Sequence, residues 1–514
     1  MKRKEIGLLH YIEMAIIPFI SRIILIIMIL KFTIKSFGIF IGVILGIFLL
    51  YFILHLYIFS MKKLFNLEFV TGIEKVYITK NPKNGFHIVS CIYFSNYNQE
   101  ELYNFLYEYY ICKIKRFRQK LTQKFFEFWF KEISSEEAKK SIIKLNHSFN
   151  SEEEIMNHIQ KEMNEEIDIF NELPYKFQIG QIGKEEEKKG ILIFKFEHVM
   201  TDGLGLISAL CTVATNYSIE SFPSIMKNIK EDTLKETIFF WLIYPFILIH
   251  SMFVFLPMRN YKSPLIPKTF SGKNIISKTK SYKLKDFEKL RKENKISFND
   301  LMVSVISKSM YNLVNLQKYE NYKNKKRMRI FLPISRKKLA RNTDEIDIVN
   351  KTNLVVCDVP IIKDYLKKNL QNIHNDIKKY FKKYIQFAYI KTTTTLGTIC
   401  SWPIFEIASQ ALCNRFELAF TNVPGPKVKL NYGNNIIDNL IFYITPSRGL
   451  SFLCLISYNE EFRLTLSVDE NCDVKSDMYL KLIESELDEL SNEATNIKTE
   501  SENEESSKFL YNNI

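Results

Sequence analysis

Cysteine is scarce in this chain: the 514 residues include 8 cysteines, and no two of them form a CxxC pair. That scarcity argues against a disulfide scaffold, zinc fingers and a thioredoxin-type redox site, and it predicts reduced, mostly buried thiols. Glycine is sparse as well, with 16 residues, and neither a G-x-G-x-x-G element nor a P-loop occurs. The sequence therefore predicts no nucleotide-phosphate loop, and no metal-ligand motif is present.

The rest of the composition is that of a large folded protein with a basic balance. Apolar residues make up 46% of the chain, and 71 Lys and Arg against 57 Asp and Glu give a net charge of +14. The length leaves room for two to four domains. A positive balance favours anionic partners, but no nucleic-acid-binding motif is present, so we predict no nucleic-acid partner.

Long hydrophobic runs are concentrated at the N-terminus. Phe37 to Phe59 contains no charged residue, and about 20 apolar residues are enough to span a bilayer as a helix. A second run, Ala15 to Leu30, is interrupted by Pro18 and Arg22. We predict that residues 1–63 form a membrane anchor of one or two transmembrane helices, with a secretory signal peptide as the alternative.

The flanking charges leave two topologies open. Lys2, Arg3 and Lys4 favour a cytosolic N-terminus, so a hairpin would keep the rest of the chain in the cytosol and a single span would send it to the lumen. Reduced thiols favour the hairpin and hence an endoplasmic reticulum membrane with the globular part in the cytosol. A third apolar segment, residues 237–257, is rich in aromatic residues and is predicted to touch the membrane, with a buried core helix as the alternative.

From Leu64 onward the pattern predicts an α/β protein. Residues 100–124 are predicted to form a helix with a basic stretch, and the run Gly190 to Phe196 (GILIFKF) to form a buried strand followed by a helix. Basic residues are also concentrated at positions 323–341. This stretch is either a solvated loop or a surface that binds phosphates. Three late strands are predicted at Ile436–Ile444, Leu450–Tyr458 and Phe462–Val468.

The segment directly after the GILIFKF strand carries the best candidate chemistry. His198 follows the strand, Asp202 comes four residues later, and Gly203 opens a helix-like run. An alcohol becomes a good nucleophile only as its proton leaves, which requires a base within hydrogen-bond reach, and neutral imidazole can serve near pH 7. An isolated HxxxD is a weak signal, because a satisfied core histidine and a capping aspartate give the same pattern.

Three further stretches strengthen that signal, and together they resemble a known family. They are Asn299-Asp300 at a helix start, Pro333-Ile334-Ser335-Arg336 at a strand end, and Thr421-Asn422-Val423-Pro424-Gly425-Pro426. With HVMTDG, these four motifs resemble, in order, those of the wax ester synthase/diacylglycerol acyltransferase (WS/DGAT) family. The resemblance covers roughly residues 65–490.

That resemblance implies a two-lobed α/β fold like that of the CoA-dependent acyltransferases of the chloramphenicol acetyltransferase type, here with N-terminal transmembrane helices. The lobes would be residues 64–265, which include the membrane-touching segment, and residues 266–490. Residues 491–514 would be a disordered acidic tail. Acyl-CoA would be the co-substrate, no cofactor would be needed, and the acceptor would be diacylglycerol or a fatty alcohol at the lipid bilayer.

The resemblance also implies roles for individual residues. His198 would be the general base that takes the proton of the acceptor hydroxyl as it attacks the thioester, with no acyl-enzyme. Asp202 would hold the loop by pairing with an arginine, for which Arg336 is the candidate, and Gly203 would allow the tight turn. The candidates for shaping the tunnel or stabilising the oxyanion are Asn299, Asn422, Ser451 and Ser457.

One position departs from the family: its first motif histidine is Glu197 here. In regular strand alternation Glu197 would point away from His198, which predicts retained activity. A carboxylate beside the imidazole would instead raise its pKa, so a non-catalytic lipid-binding protein of the same fold is the alternative function. A transferase for small soluble alcohols is a third reading, and the apolar N-terminus argues against it.

Overall fold

The structure is a computed structural model that describes residues 8–78, 85–124, 127–223, 233–255, 262–335, 337–382, 413, 415–446 and 449–492. Arg336 and the predicted tail from residue 493 onward lie outside these described residues.

Eleven helices are described along this part of the chain. They are α1 (Leu8–Phe37), α2 (Ile39–Phe65), α3 (Gln99–Phe105), α4 (Ser135–Lys139), α5 (Glu152–Asn164), α6 (Gly203–Thr212), α7 (Leu234–Phe255), α8 (Glu288–Glu293), α9 (Phe298–Val314), α10 (Lys367–Tyr380) and α11 (residues 476–492). Several begin with a side-chain cap; Ser297, for example, accepts from the Asp300 N–H at the start of α9.

The described strands number sixteen. They are β1 (Leu67–Phe69), β2 (His87–Ser95), β3 (Gln119–Lys124), β4 (Glu127–Glu132), β5 (Ile142–Phe149), β6 (Tyr175–Ile182), β7 (Lys189–Glu197), β8 (Asn274–Lys278), β9 (Tyr282–Lys283), β10 (Arg327–Ser335), β11 (Thr352–Pro360), β12 (Leu418–Pro424), β13 (Asn431–Tyr432), β14 (Asn435–Ile444), β15 (Ser451–Tyr458) and β16 (Glu461–Asp469).

Two large mixed sheets organise the fold. One has the order β13-β14-β2-β7-β6-β5, and the other has the order β11-β10-β12-β15-β16-β8 with β9 also paired to β16. Strands β13 and β14 come from late in the chain, yet β14 pairs antiparallel with β2. The late chain therefore completes the sheet that carries His198, and a small third sheet, β1-β4-β3, lies beside the early strands.

Strand β7 is the best-buried strand of the first sheet. It pairs with β2 on one side and β6 on the other, and every residue from Gly190 to Glu197 is buried. A run that is apolar from Gly190 to Phe196 except at Lys195 suits a strand covered on both faces. The residue that follows β7 is thereby fixed to a rigid central element.

The N-terminal region forms a helical hairpin that turns at Gly38. Glycines on α2 allow the two helices to approach closely: a Cβ added at Gly42 would lie 2.5 Å from the Cα of Ile34, and one at Gly46 would lie 2.8 Å from a Leu30 methyl. Within the described residues, no helix is found that could cross a membrane. The prediction of transmembrane helices at residues 1–63 is therefore not supported.

Apolar side chains nevertheless remain uncovered on these helices and on α7. Ile39 is 76% exposed, and on α7 Leu242 and Phe246 are 68% and 73% exposed, whereas Phe240 is buried. The alternative that residues 237–257 form a buried core helix is therefore wrong for the described part of α7.

The basic stretch of residues 100–124 does not continue as one helix. Helix α3 passes into a π-helical segment, Leu106–Cys112, and after a short turn the chain enters β3. Arg116 lies in that turn, only 3% exposed, and its guanidinium approaches Glu68 at 3.1 Å and Glu74 at 3.5 Å. Pairing with these carboxylates of neighbouring segments draws the arginine inward, which the periodicity of the sequence does not reveal.

Candidate functional site

His198 lies at the first position after β7, in a turn held by backbone hydrogen bonds. Its N–H donates to the Phe86 carbonyl at 2.7 Å, and the Met200 N–H donates to the Glu197 carbonyl at 2.9 Å. Asp202 then caps α6, its Oδ1 accepting from the Gly205 N–H at 2.7 Å. The sequence thus places the imidazole between a central strand and a capped helix.

Aromatic rings enclose the imidazole. The Tyr77 ring is stacked on it with centroids 4.1 Å apart and planes 12° apart, and the Phe86 ring meets it edge-on at 4.9 Å. Phe86 also packs edge-on against Phe452 of the second sheet. His198 is 8% exposed, so the ring is nearly withdrawn from bulk water.

This burial decides the protonation state of His198. Burial lowers its pKa from 6.5 to about 4; hydrogen bonding to its own backbone carbonyl and the charge of Asp202 act in the opposite direction, and Lys337 lowers it further. The ring is therefore neutral at pH 7. No hydrogen bond within the described residues engages its Nε2.

The carboxylate of Asp202 ties the loop to the second half of the chain. Its Oδ1 lies 3.1 Å from Lys337 Nζ, with both side chains almost completely buried, and its Oδ2 accepts from the Lys351 N–H at 2.7 Å. Among the described residues, the cation that pairs with Asp202 is thus a lysine; Arg336, the partner that the sequence suggested, lies outside them. Burial lowers the pKa of Lys337, while the charge of Asp202 raises it.

The close approach expected at Gly203 is found two residues later. A Cβ at Gly203 would lie 3.4 Å from a Val423 methyl, which is an ordinary contact, and its φ is not in the left-handed region. A Cβ at Gly205 would lie 2.3 Å from Thr201 Oγ1 and 2.7 Å from Lys337 Nζ. Gly205 is therefore the glycine whose missing side chain leaves room for the Asp202 ion pair.

Asn350 also contacts the histidine, although nothing in the sequence marked it. Its Nδ2 lies 3.0 Å from His198 Nδ1 and donates to the His198 carbonyl at 3.1 Å. Its Oδ1 accepts from the Thr352 N–H at 3.1 Å, which orients the amide. Asn350 is 1% exposed, so these contacts are made away from water.

Glu197 is buried but is directed elsewhere. The charges that act on the His198 pKa are those of Asp202 and Lys337, whereas the Glu197 charge acts on Lys195, two positions earlier on the same strand. Alternate residues of a strand share a face, so Glu197 and Lys195 lie on one side of β7.

The remaining candidates pair with other groups. Asn422 Nδ2 donates to Asn299 Oδ1 at 2.6 Å, which joins two of the motifs. Ser451 Oγ donates to the Leu265 carbonyl at 2.8 Å, and Ser457 Oγ accepts from the Gly425 N–H at 3.3 Å. Within the described chain, none of these side chains forms a hydrogen bond with His198.

Three site residues were missed by the sequence analysis for different reasons. Lys337 lies within the basic stretch 323–341, where a buried lysine cannot be told from solvated ones. Asn350 and Tyr77 are 152 and 121 residues from His198 in the chain, so only the fold brings them together. Among the described residues, no group of three or more His, Cys, Asp or Glu side chains is arranged to hold a metal ion.

The fold is that of the two-lobed CoA-dependent acyltransferases and condensation domains. A wax ester synthase/diacylglycerol acyltransferase from Marinobacter aquaeolei VT8 is similar with a TM-score of 0.51 and 15% identity, over 80% of this chain and 95% of that one. A trichothecene 15-O-acetyltransferase from Fusarium sporotrichioides is similar with a TM-score of 0.59 and 10% identity, over 82% and 94%. A starter condensation domain of rhizomide synthetase, solved with C8-CoA and Leu-SNAC, matches with a TM-score of 0.51 and 9% identity, over 85% and 92%.

A second comparison matches part of the chain to a family. Residues 349–491 match the family described as the WS/DGAT C-terminal domain, which confirms the resemblance to that family. No curated protein matches the chain.

Proposed function

We propose that the protein is an O-acyltransferase that moves a fatty acyl group from acyl-CoA to diacylglycerol or to a long-chain alcohol, making triacylglycerol or wax ester. The observation that carries the proposal is the neutral, nearly buried imidazole of His198, which lies directly after β7 beside the clamped Asp202 loop. The WS/DGAT match and the two-lobed fold support the choice of reaction class.

In the proposed reaction, Nε2 of His198 takes the proton of the acceptor hydroxyl while the hydroxyl oxygen attacks the thioester carbonyl. The bond to sulfur then breaks, and the departing CoA thiolate takes the proton back from the imidazolium. A base that acts through Nε2 carries its own proton on Nδ1, and the backbone carbonyl of His198 is the acceptor for that N–H. No acyl-enzyme forms, so Asp202 and Lys337 only hold the loop.

The neutral imidazole can accept the hydroxyl proton, whereas the imidazolium cannot. At pH 7 an imidazole with a pKa of about 4 is almost entirely unprotonated and ready to accept. Its low pKa also makes the imidazolium short-lived, which favours return of the proton to the leaving thiolate. A lower basicity weakens the first proton transfer, so we expect thioester attack and proton removal to be concerted.

We also propose that the exposed apolar helices attach the protein to a lipid surface. Residues such as Ile39, Leu242 and Phe246 leave an apolar area that water does not favour, and Lys62 and Lys63 at the end of α2 suit anionic headgroups. Such attachment, at the cytosolic face of the endoplasmic reticulum, would bring the site to acceptors that reside in the membrane. A matched test compares vesicle co-sedimentation of the wild type with that of Phe246→Lys, which we expect to bind less.

The reaction is tested by supplying purified protein with radiolabelled palmitoyl-CoA and either diacylglycerol or hexadecanol in vesicles, followed by lipid chromatography. We expect labelled triacylglycerol or wax ester from the wild type and from His147→Gln, which alters an exposed histidine. His198→Ala is expected to make neither product. Products from His198→Ala at the wild-type rate would overturn the assigned base.

The second candidate, a non-catalytic lipid-binding protein, is favoured only by Glu197 at the position of the family's first histidine. It predicts that the wild type binds vesicles and yields no product with any acyl-CoA. Glu197→His restores the family's residue: under the acyltransferase proposal it changes the rate little, because that side chain shares its face with Lys195 rather than with the base.

A further inference from the structure

One short segment in the second half of the chain contacts both His198 and Asp202. Asn350 contacts the histidine through its side chain, and the next residue, Lys351, donates its N–H to Asp202. Residues 350 and 351 stand at the start of the WS/DGAT C-terminal segment, whereas His198 and Asp202 lie well before it. The histidine loop is thus held by a part of the chain about 150 residues away.

Asn350 is itself anchored at two points. Its Oδ1 accepts from the Thr352 N–H, and its own N–H donates to Glu74 Oε1 at 3.4 Å. Glu74 is completely buried and also accepts from the Thr71 N–H at 2.8 Å. An amide fixed at its backbone and at its oxygen has its NH₂ group fixed as well, and that group meets both the carbonyl and Nδ1 of His198.

We propose that Asn350 is a positioning residue for His198: its amide donates to the His198 carbonyl and so fixes the turn that directs the imidazole. The proposal rests on the proposed function of His198 as a base. The turn matters because it directs Nε2, and a displacement of about 1 Å in a reacting group can cost about 100-fold in rate.

The lack of charge on the amide has its own consequence. A neutral amide does little to attract a proton to the ring, whereas a carboxylate at the same position would stabilise the imidazolium. The other charged or titratable groups near the ring are Asp202 and Lys337 from the loop contacts, Glu74 behind Asn350, Lys351 beside it, and Tyr77 stacked on the ring. None of these is altered by a change at residue 350.

The test uses two substitutions of Asn350 and a matched control in the full-length protein. Asn350→Asp keeps the size of the side chain and an oxygen for the Thr352 N–H but replaces the donor by an acceptor. Asn350→Ala removes the contact altogether. The control Asn342→Ala removes an exposed asparagine that caps a turn eight residues earlier.

Two readouts are combined. In protein labelled with ¹³C-histidine, NMR titration of the His198 resonance, assigned by its loss in His198→Gln, gives the pKa without any substrate. We expect Asn350→Asp to raise that pKa by at least about one unit and the acid limb of the rate profile to move with it. We expect Asn350→Ala to lower kcat at least about tenfold with KM changed less than about twofold, and Asn342→Ala to alter neither.

An unchanged His198 pKa in Asn350→Asp would overturn the inference. So would a loss of activity in Asn350→Ala that is due only to a higher KM or to a smaller fraction of folded protein. The readouts also separate the two proposals. A shifted pKa in a protein without transferase activity supports the role of Asn350 and refutes the proposed function. Full transferase activity with an unshifted His198 pKa supports the proposed function and refutes the role of Asn350.

Discussion

Removal of the Asp202 carboxylate is the most informative perturbation of the loop. In Asp202→Asn the side-chain oxygen can still cap α6, but the Lys337 ammonium is left without its counter-charge in a site where both side chains are almost fully buried. Breaking a buried ion pair at one partner typically costs about 3–5 kcal/mol. Since about 1.4 kcal/mol is a factor of ten in an equilibrium, opening of the loop and of α6 should become at least about 100-fold more frequent.

Hydrogen exchange measured on peptides covering residues 199–213 is the appropriate assay, because a chain with two large sheets need not unfold in one step. We expect exchange in these peptides to rise in Asp202→Asn, while peptides from α5 stay unchanged as an internal reference. The double variant Asp202→Asn/Lys337→Met removes both charges and should exchange more slowly than Asp202→Asn alone.

A matched control is available next to the ion pair. Lys351→Ala removes an exposed side chain that pairs with Asp347, but it keeps the backbone N–H that Asp202 accepts. Exposed pairs contribute at most about 1 kcal/mol, so this variant should change exchange little. Unchanged exchange in Asp202→Asn, or a double variant that is as unstable as the two single effects added together, would refute the buried ion pair as the clamp.

Three other outcomes are expected. The pKa of His198 is about 4 in the folded protein and 6.5 ordinarily, so the unfolded chain binds the extra proton first as the pH falls. The neutral ring therefore contributes about 3 kcal/mol to the free energy of unfolding above about pH 6.5, and this contribution is lost as the pH falls toward about 4. Urea unfolding at several pH values measures the contribution, and a pH-independent midpoint would contradict it. Gly205→Ala should destabilise the protein by about 1–3 kcal/mol because its Cβ would meet Thr201 and Lys337, whereas Gly203→Ala should be tolerated, and equal melting temperatures for the two would exclude this reason. Tyr77→Ala should raise the His198 pKa by letting water reach the ring, and Tyr77→Phe, which keeps the stack, should leave it nearly unchanged; the NMR titration distinguishes these results.

Short-range patterns were enough to predict the elements that carry the site. The apolar run before His198 is strand β7, the run after Gly203 is helix α6, and the three late strands lie within one or two residues of their predicted bounds. In each case the apolar pattern and the turn residues are local properties of the sequence, so they can be recognised without knowledge of the fold.

What the sequence could not supply depends on contacts distant in the chain. Within the described residues Lys337 pairs with Asp202, which the sequence did not predict, because the path of the chain after β10 decides which side chain enters the loop. In the sequence, Asn350 cannot be distinguished from other loop asparagines, because only the fold brings it into contact with His198. The helix predicted for residues 100–124 ends early, and beyond it Arg116 turns inward to two carboxylates, one of them Glu74, the same residue that holds Asn350.

The central claim, that His198 takes the proton of an acceptor hydroxyl, is tested most directly by single-turnover acyl transfer in His198→Gln. The protein is loaded with labelled acyl-CoA and mixed with vesicles that contain the acceptor, and folding and acyl-CoA binding are first matched to the wild type. Loss of a positioned general base should slow transfer by about 10²–10⁴-fold while acyl-CoA binding stays unchanged. A transfer rate in His198→Gln within about threefold of the wild-type rate, a much smaller loss than removal of a general base causes, would contradict the claim.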